Sequence, residues 1–283
     1  MFKRVMVAVV GIPFLILVLG VAPEWATMVL VCGMCAVGAW ELMHAVAGKA
    51  GQALTPLAVL SAALVPVCVY MELSIRYAKL TALPVLPLTG LLGTAMVLAL
   101  FVVSIRRYGS ERAVPFAAIT AALFAGLVFP LMLSCLLRLR MMPHMGMLLV
   151  FFPLCISFGS DTFAFFAGLL FGKHKLTPVS PKKTVEGAVG GLIGGVIGTA
   201  LMMAVGSYVL ADAFWNFKLL ALFGLVGSAV SQIGDLSFSV IKREFGVKDY
   251  GNLLPGHGGV LDRFDSVTFV APFVWLILGT GIY

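Results

Sequence analysis

Residues 219–241 read LLALFGLVGSAVSQIGDLSFSVI, 23 residues with one ionisable side chain, Asp235. A helix rises 1.5 Å per residue, so about 20 mainly apolar residues cross the hydrocarbon of a bilayer. Backbone polar groups in lipid must be satisfied within their own segment, which makes a run of this kind a membrane-spanning helix. Working outward, apolar runs bounded by charges or by Gly and Pro clusters recur along the chain. They lie at about Val5–Val21, Trp25–Val46, Leu54–Leu73, Leu83–Ile105, Ala113–Leu137, Gly146–Phe171, Gly187–Leu210 and Ser266–Ile282. The expected fold is an all-α integral membrane protein, a polytopic bundle of about nine transmembrane helices. Residues 1–140 supply about five spans. Residues 141–283 supply about four, together with two charged loops.

Composition agrees. Of 283 residues, 61% are hydrophobic and 11% charged, against about 25% charged in a soluble domain, so a soluble enzyme is excluded. The net charge of +7 comes from basic residues spaced between apolar runs rather than clustered on a soluble fold, which argues against nucleic acid as a partner. Cys32, Cys35, Cys68, Cys135 and Cys155 all fall in apolar stretches and read as buried thiols. The Cys32–Cys35 C-x-x-C has no second pair and carries no metal or redox signal. Lys3 and Arg4 before the first run imitate a secretory signal, but no small-residue cleavage site follows, so the run is expected to remain as the first helix.

With the N-terminus inside, only Arg76, Lys79, Arg138, Arg140 and Lys218 of the 19 basic residues fall in outer loops, and the other 14 are inside. The positive-inside rule then places the N-terminus in the cytoplasm and the C-terminus outside. Charge is also concentrated along the chain: Lys173–Glu186 holds 5 charges and Lys242–Asp265 holds 8, so 13 of 31 occupy 38 residues, all on the cytoplasmic side. Fixing topology needs only a few charges per loop, so this concentration points to function. Gly187, Gly190, Gly191, Gly194, Gly195 and Gly198 are spaced as a helix face with no preceding strand, which suits close helix packing rather than a nucleotide loop.

Two acids inside spans need a reason, because each costs about 2.5–3.5 kcal/mol at the bilayer centre on insertion scales. Asp161 lies in the sixth span, one turn from Ser157. Asp235 shares a helix face with Ser231, Ser239 and Lys242 in the eighth. A single such acid can merely fix helix packing; two, each leading into a charge-dense loop, describe a polar seam. Asp262 and Asp265, three apart, lie on one side of a helix if the last span has begun there. Carboxylates at Asp235, Asp262 and Asp265, without His or Cys in a comparable cluster, suit a hard divalent cation such as Mg²⁺. Lys182, Lys183, Lys242, Arg243, Lys248 and Arg263, with His257 in the turn Pro255-Gly256-His257-Gly258-Gly259, suit recognition of several phosphates. Any one Lys could equally anchor to anionic headgroups.

The run Ser239–Asp265, with Lys242, Arg243, Lys248, Asp249, Gly251, Leu254, Pro255, Gly256, His257, Gly258, Gly259, Asp262, Arg263 and Asp265, resembles the hallmark of the phosphatidate cytidylyltransferases, the CDP-diacylglycerol synthases. Gly172, Lys173, Lys175 and the run Ser180-Pro181-Lys182-Lys183-Thr184-Val185-Glu186-Gly187, with Asp161 upstream, are similar to that family too. Phe165 stands where tyrosine is more usual. The likeness covers about the last 125 residues; the first five spans match in hydropathy only. The resemblance implies a bacterial inner-membrane homodimer that joins CTP and phosphatidate with Mg²⁺ and leaves open a second, monovalent cation. It implies metal ligation by Asp235 and Asp262, with Asp265 and Asp161 as further carboxylates. Lys242 and Arg263 would act in catalysis beside Asp235, Asp262 and Asp265. Lys182, Lys183, Thr184, Ser239, Arg243, Lys248, Asp249, His257, Gly258 and Gly259 would bind substrate. An ion-coupled transporter would also place acids within the membrane, but it predicts repeated halves, and none is visible. A nucleotidyltransferase acting on another lipid phosphate is the nearer alternative. The Asp-Gly…Ala-Arg pattern of CDP-alcohol phosphotransferases is absent.

Overall fold

The computed structural model describes residues 2–77, 87–209, 217–253 and 258–279. The expected limits Leu83, Leu210 and Ile282, and the candidate His257, lie outside the described residues. The principal helices are α1 (Phe2–Ile16, continued by a π-helical turn Leu17–Val21), α2 (Glu24–Val46), α3 (Thr55–Tyr77), α4 (Leu88–Arg107) and α5 (Phe116–Arg140). They continue with α6 (Phe152–Phe171), α7 (Val185–Val209), α8 (Phe217–Glu244) and α9 (Leu261–Gly279). Among the described residues there is no β-strand, only an isolated antiparallel bridge between Lys175 and Thr184. Among the described residues, seven helical stretches, from α2 through α8, are long and apolar enough to cross a membrane, so the protein is an integral membrane protein. The apolar stretch in α1, Val9–Val21, is shorter. In α9, Asp262, Arg263 and Asp265 crowd the first turns and shorten the uninterrupted apolar run.

The chain divides into two compact units, Met1–Met141 with Phe245–Arg263, and Met142–Glu244 with Phe264–Tyr283. Residues 245–263 group with the first unit.

In the first unit α2 and α3 form the centre, and α5 closes over them. Val65, Val69 and Leu73 of α3 meet Leu137 and Met141 in a buried cluster. The single span expected at Ala113–Leu137 is interrupted. Pro130 has no N–H for the carbonyl of Gly126, four residues earlier, and the helix widens there into a π-helical turn, Phe124–Val128. At Gly126 this turn lies against the Ala58 backbone of α3. Arg140, expected in an outer loop, is buried and donates from Nη2 to the Ala22 carbonyl at 2.9 Å, so it ties the end of α5 to the α1–α2 turn.

In the second unit α6 and α7 approach backbone to backbone. Gly159 faces Gly194 and Gly198, and Gly190 sits against Phe163 and Ala167. Lipid tails are as apolar as leucine, so close van der Waals contact between small residues, rather than expulsion of water, drives this pairing. Gly195 and Gly224 do the same between α7 and α8. Ser228 on α8 lies 2.7 Å from Ser160 Oγ and 2.8 Å from the Gly191 carbonyl, so its hydroxyl accepts from one and donates to the other, joining three helices. Phe238 and Phe269 meet edge to face with centroids 6.1 Å apart.

Candidate active site

In the second unit, a cavity of about 480 Å³ lies among α6, α7, α8 and the 172–184 loop. Its wall includes Asp161, Lys182, Lys183, Thr184, Gln232 and Asp235, and on the apolar side Ala164, Phe165, Leu169 and Leu176. The loop is folded by the chain's own amides. Leu176 N donates to Lys183 O at 3.0 Å, Val185 N to His174 O at 2.9 Å, and Lys183 N to Ser180 O at 3.0 Å. Glu186 fastens the start of the loop by accepting from Lys173 N at 3.0 Å and His174 N at 3.2 Å, with His174 Nδ1 2.6 Å from its other oxygen. Thr184 Oγ1 accepts from Gly187 N at 3.1 Å, capping an amide left without an intrahelical partner at the start of α7. The loop thus delivers Lys182 and Lys183 to the mouth of a helix whose positive dipole end faces the same way.

Asp235 is held between two side chains. Lys183 Nζ donates to Oδ2, and Ser239 Oγ lies 3.4 Å from Oδ1, which bears out the shared face of these α8 residues. Ser157 and Ser231 are buried, as a seam turned to the bundle interior requires. Lys242, further along α8, is also buried, and Arg243 Nε reaches the Val179 carbonyl of the loop at 3.3 Å. Asp265 is buried within electrostatic reach of Asp235, Lys242 and Asp161, and its Oδ1 accepts from Ser266 N at 2.7 Å. Asp161, Lys182, Lys183, Thr184, Ser239, Asp235, Lys242, Arg243 and Asp265 are therefore gathered in one region of the second unit.

The remaining sequence candidates belong to the first unit. Asp262 is buried and its Oδ2 accepts from Tyr250 N at 2.8 Å and Gly259 N at 3.1 Å, so the carboxylate is the hub that ties Tyr250 to Gly259. Gly258 has φ of +87°, a left-handed conformation that favours glycine. Lys248, Asp249 and Arg263 are exposed.

Among the described residues no three His, Cys, Asp or Glu side chains stand close enough to hold a metal by themselves. The donors near the cavity are carboxylate oxygens without His or Cys, and the ammonium of Lys183 already rests on Asp235 where a cation would bind. That donor set fits Mg²⁺, which takes one or two carboxylates and completes its shell with water and substrate phosphates.

The chain matches the cytidylyltransferase family over residues 2–280. It belongs to that family. Among curated cytidylyltransferases, the phosphatidate cytidylyltransferase of Bacillus subtilis (strain 168) is 38% identical over 159 residues, 56% of this chain and 56% of the relative. Those of Staphylococcus epidermidis and Staphylococcus saprophyticus are 43% and 44% identical over 134 residues, 47% of this chain and 50% of theirs. The chain spans about half the length of the curated relatives it matches.

The sequence reading passed over two residues. Gln232 lines the cavity and donates from Nε2 to the Ala188 carbonyl at 3.0 Å; its signal was a second polar residue beside Ser231 within an apolar span. Glu41, fully buried on α2, accepts from Val260 N at 3.0 Å and Leu261 N at 2.9 Å. Its signal was equally plain, an acid inside the apolar run 25–46, of the same kind that singled out Asp161 and Asp235.

Proposed function

We propose that this chain is a phosphatidate cytidylyltransferase that converts CTP and phosphatidate into CDP-diacylglycerol and pyrophosphate. The observation that carries the reading is the cavity of the second unit, which sets Lys182, Lys183, Asp161 and Asp235 against an apolar wall of Phe165 and Leu169. A lipid phosphate needs both surfaces, cations for its head and hydrocarbon for its chains. Phe165 and Leu169 are 65% and 69% exposed, so in a membrane that wall meets lipid.

An oxygen of the phosphatidate phosphate attacks the α-phosphorus of CTP, the bond to the β-phosphate oxygen breaks, and pyrophosphate leaves. The lipid phosphate is itself the nucleophile, so no covalent enzyme intermediate is required. The work of the protein is to place two anions in line and to offset their repulsion. Lys182 and Lys183 serve the phosphates at the loop, and Lys183 exchanges Asp235 for a phosphate oxygen when substrate arrives. Lys242 and Arg243 supply further positive charge from α8, and Arg263 and Lys248 from the 245–263 segment, while Asp249 is a hydrogen-bond acceptor for substrate. Asp235 and Asp262 would hold Mg²⁺, with Asp265 and Asp161 as further carboxylates. A divalent cation held there would offset the charge of the triphosphate and of the pyrophosphate as it leaves.

CTP is cytosolic, so both charged loops face the cytoplasm, the N-terminus is inside, the C-terminus outside, and the membrane is the bacterial inner membrane. Reporter fusions at the loops test that orientation. Two copies pair as a homodimer, which native mass measurement in detergent checks. The activity is tested by purifying the protein in detergent and following pyrophosphate with CTP and Mg²⁺. Release is expected only with phosphatidate present, and no lipid-dependent release would overturn the reading. Replacing phosphatidate by other lipid phosphates fixes the lipid class.

A further inference from the structure

We infer that Glu41, on the second helix, is a positioning residue for the segment 258–262 and through it for the carboxylate of Asp262. This rests on the phosphatidate cytidylyltransferase reading, in which Asp262 serves the metal-bound triphosphate.

The geometry is that of one carboxylate gripping a backbone arc. Oε1 of Glu41 accepts from Val260 N at 3.0 Å and Oε2 from Leu261 N at 2.9 Å, and the side chain has no exposure to solvent. These amides open α9 and have no intrahelical acceptor, so a carboxylate 219 and 220 residues earlier in the chain caps the helix from another helix. Next to these amides, Asp262 Oδ2 accepts from Gly259 N and Tyr250 N. The three successive amides of 259, 260 and 261 are thus held by two carboxylates, Asp262 and Glu41, and Asp262 lies one residue beyond the last amide that Glu41 holds.

Two glycines are explained by the same carboxylate. A Cβ on Gly259 or on Gly251 would run into the Glu41 side chain, so both must lack one. Gly259 also donates the amide that fixes Asp262. A mere helix cap needs one such contact. Here the carboxylate meets two amides and the backbone of two glycines eight residues apart, which is what positioning the backbone beside Asp262 requires.

The test compares wild type, Glu41→Gln, Glu41→Asp, Gly259→Ala and the Glu41→Asp/Gly259→Ala pair, all full-length in detergent. Glutamine keeps the size but sets an NH₂ or a single acceptor against two amides. It should raise amide exchange at 258–262 about tenfold, with the α6–α8 peptides unchanged. In turnover it should raise the Mg²⁺ concentration for half-maximal rate about fivefold and lower kcat about 10- to 100-fold, with KM for phosphatidate within about twofold. Gly259→Ala should reproduce these changes from the opposite side. Aspartate withdraws the carboxylate by one methylene, so the pair should exceed Gly259→Ala alone in rate and in protection. The inference is overturned if Glu41→Gln keeps wild-type Mg²⁺ dependence, if exchange rises evenly through the protein, or if the pair is no better than Gly259→Ala. Should Glu41→Gln not fold, Gly259→Ala and the pair decide. If wild type itself turns over nothing, the proposed function fails, while the exchange measurements still judge Glu41.

Discussion

Asp235 and Glu41 are both carboxylates inside apolar helices, yet they are satisfied in opposite ways. Asp235 meets a lysine and a serine side chain beside a cavity, and both partners can move away when a phosphate or a cation arrives. Glu41 meets two backbone amides in a fully buried setting, and those partners cannot leave without unwinding the start of α9. An acid in a membrane helix therefore does not announce chemistry by its presence. What it is bonded to decides whether it is available to a ligand or committed to the fold. Asp262 stands between the two, since one of its oxygens is committed to two amides.

The contrast can be broken most directly at Asp235. Asp235→Asn should lower the lipid-dependent rate about 10²- to 10³-fold, roughly 2.7–4 kcal/mol, while leaving the detergent melting temperature near wild type. Loss of folding together with rate would erase the distinction from Glu41. Asp262→Asn should cost both, weakening protection at Tyr250 and Gly259 by about 1–2 kcal/mol as read by amide exchange, because a neutral acceptor replaces a charged one at two amides. If exchange at those amides is unchanged, the carboxylate is not the hub described here. Thr184→Ala removes the cap on Gly187 N and should cost about 1 kcal/mol of stability, visible as a lower melting temperature together with weaker CTP binding as the loop loosens. The smallest effect is expected at Phe165→Tyr. The side chain is exposed on the apolar wall, so stability should stay within about 0.5 kcal/mol, and a large gain in CTP affinity would assign the missing hydroxyl a role.

The second unit was largely legible. Asp235, Ser239 and Lys242 sit at helical spacing, the charges of 173–186 announce a loop with work to do, and the glycine stripe of α7 forecasts close helix packing, which the structure supplies against α6 and α8. Periodicity carries such information because these contacts are local or run along one helix face. Glu41 was not legible as a partner of Val260 and Leu261, because hydropathy counts an acid in a span without saying which distant amide answers it. The π-helical turn at Phe124–Val128 was hidden for a related reason. Pro130 forecasts a missing hydrogen bond, but whether the helix kinks, breaks or widens depends on what lies against it, here the Ala58 backbone beside Gly126.

The long sequence separation between Glu41 and its amides has a consequence for biosynthesis. Chains elongate at about 5–20 residues per second, so α2 emerges on the order of 10–45 s before Val260 and Leu261 exist. Throughout that interval the carboxylate must stay hydrated, or take up a proton, at the edge of a helix already committed to the bilayer. The amides at the start of α9 answer a carboxylate made 219 and 220 residues earlier, and until they emerge the segment 258–262 lacks the partner that fixes it.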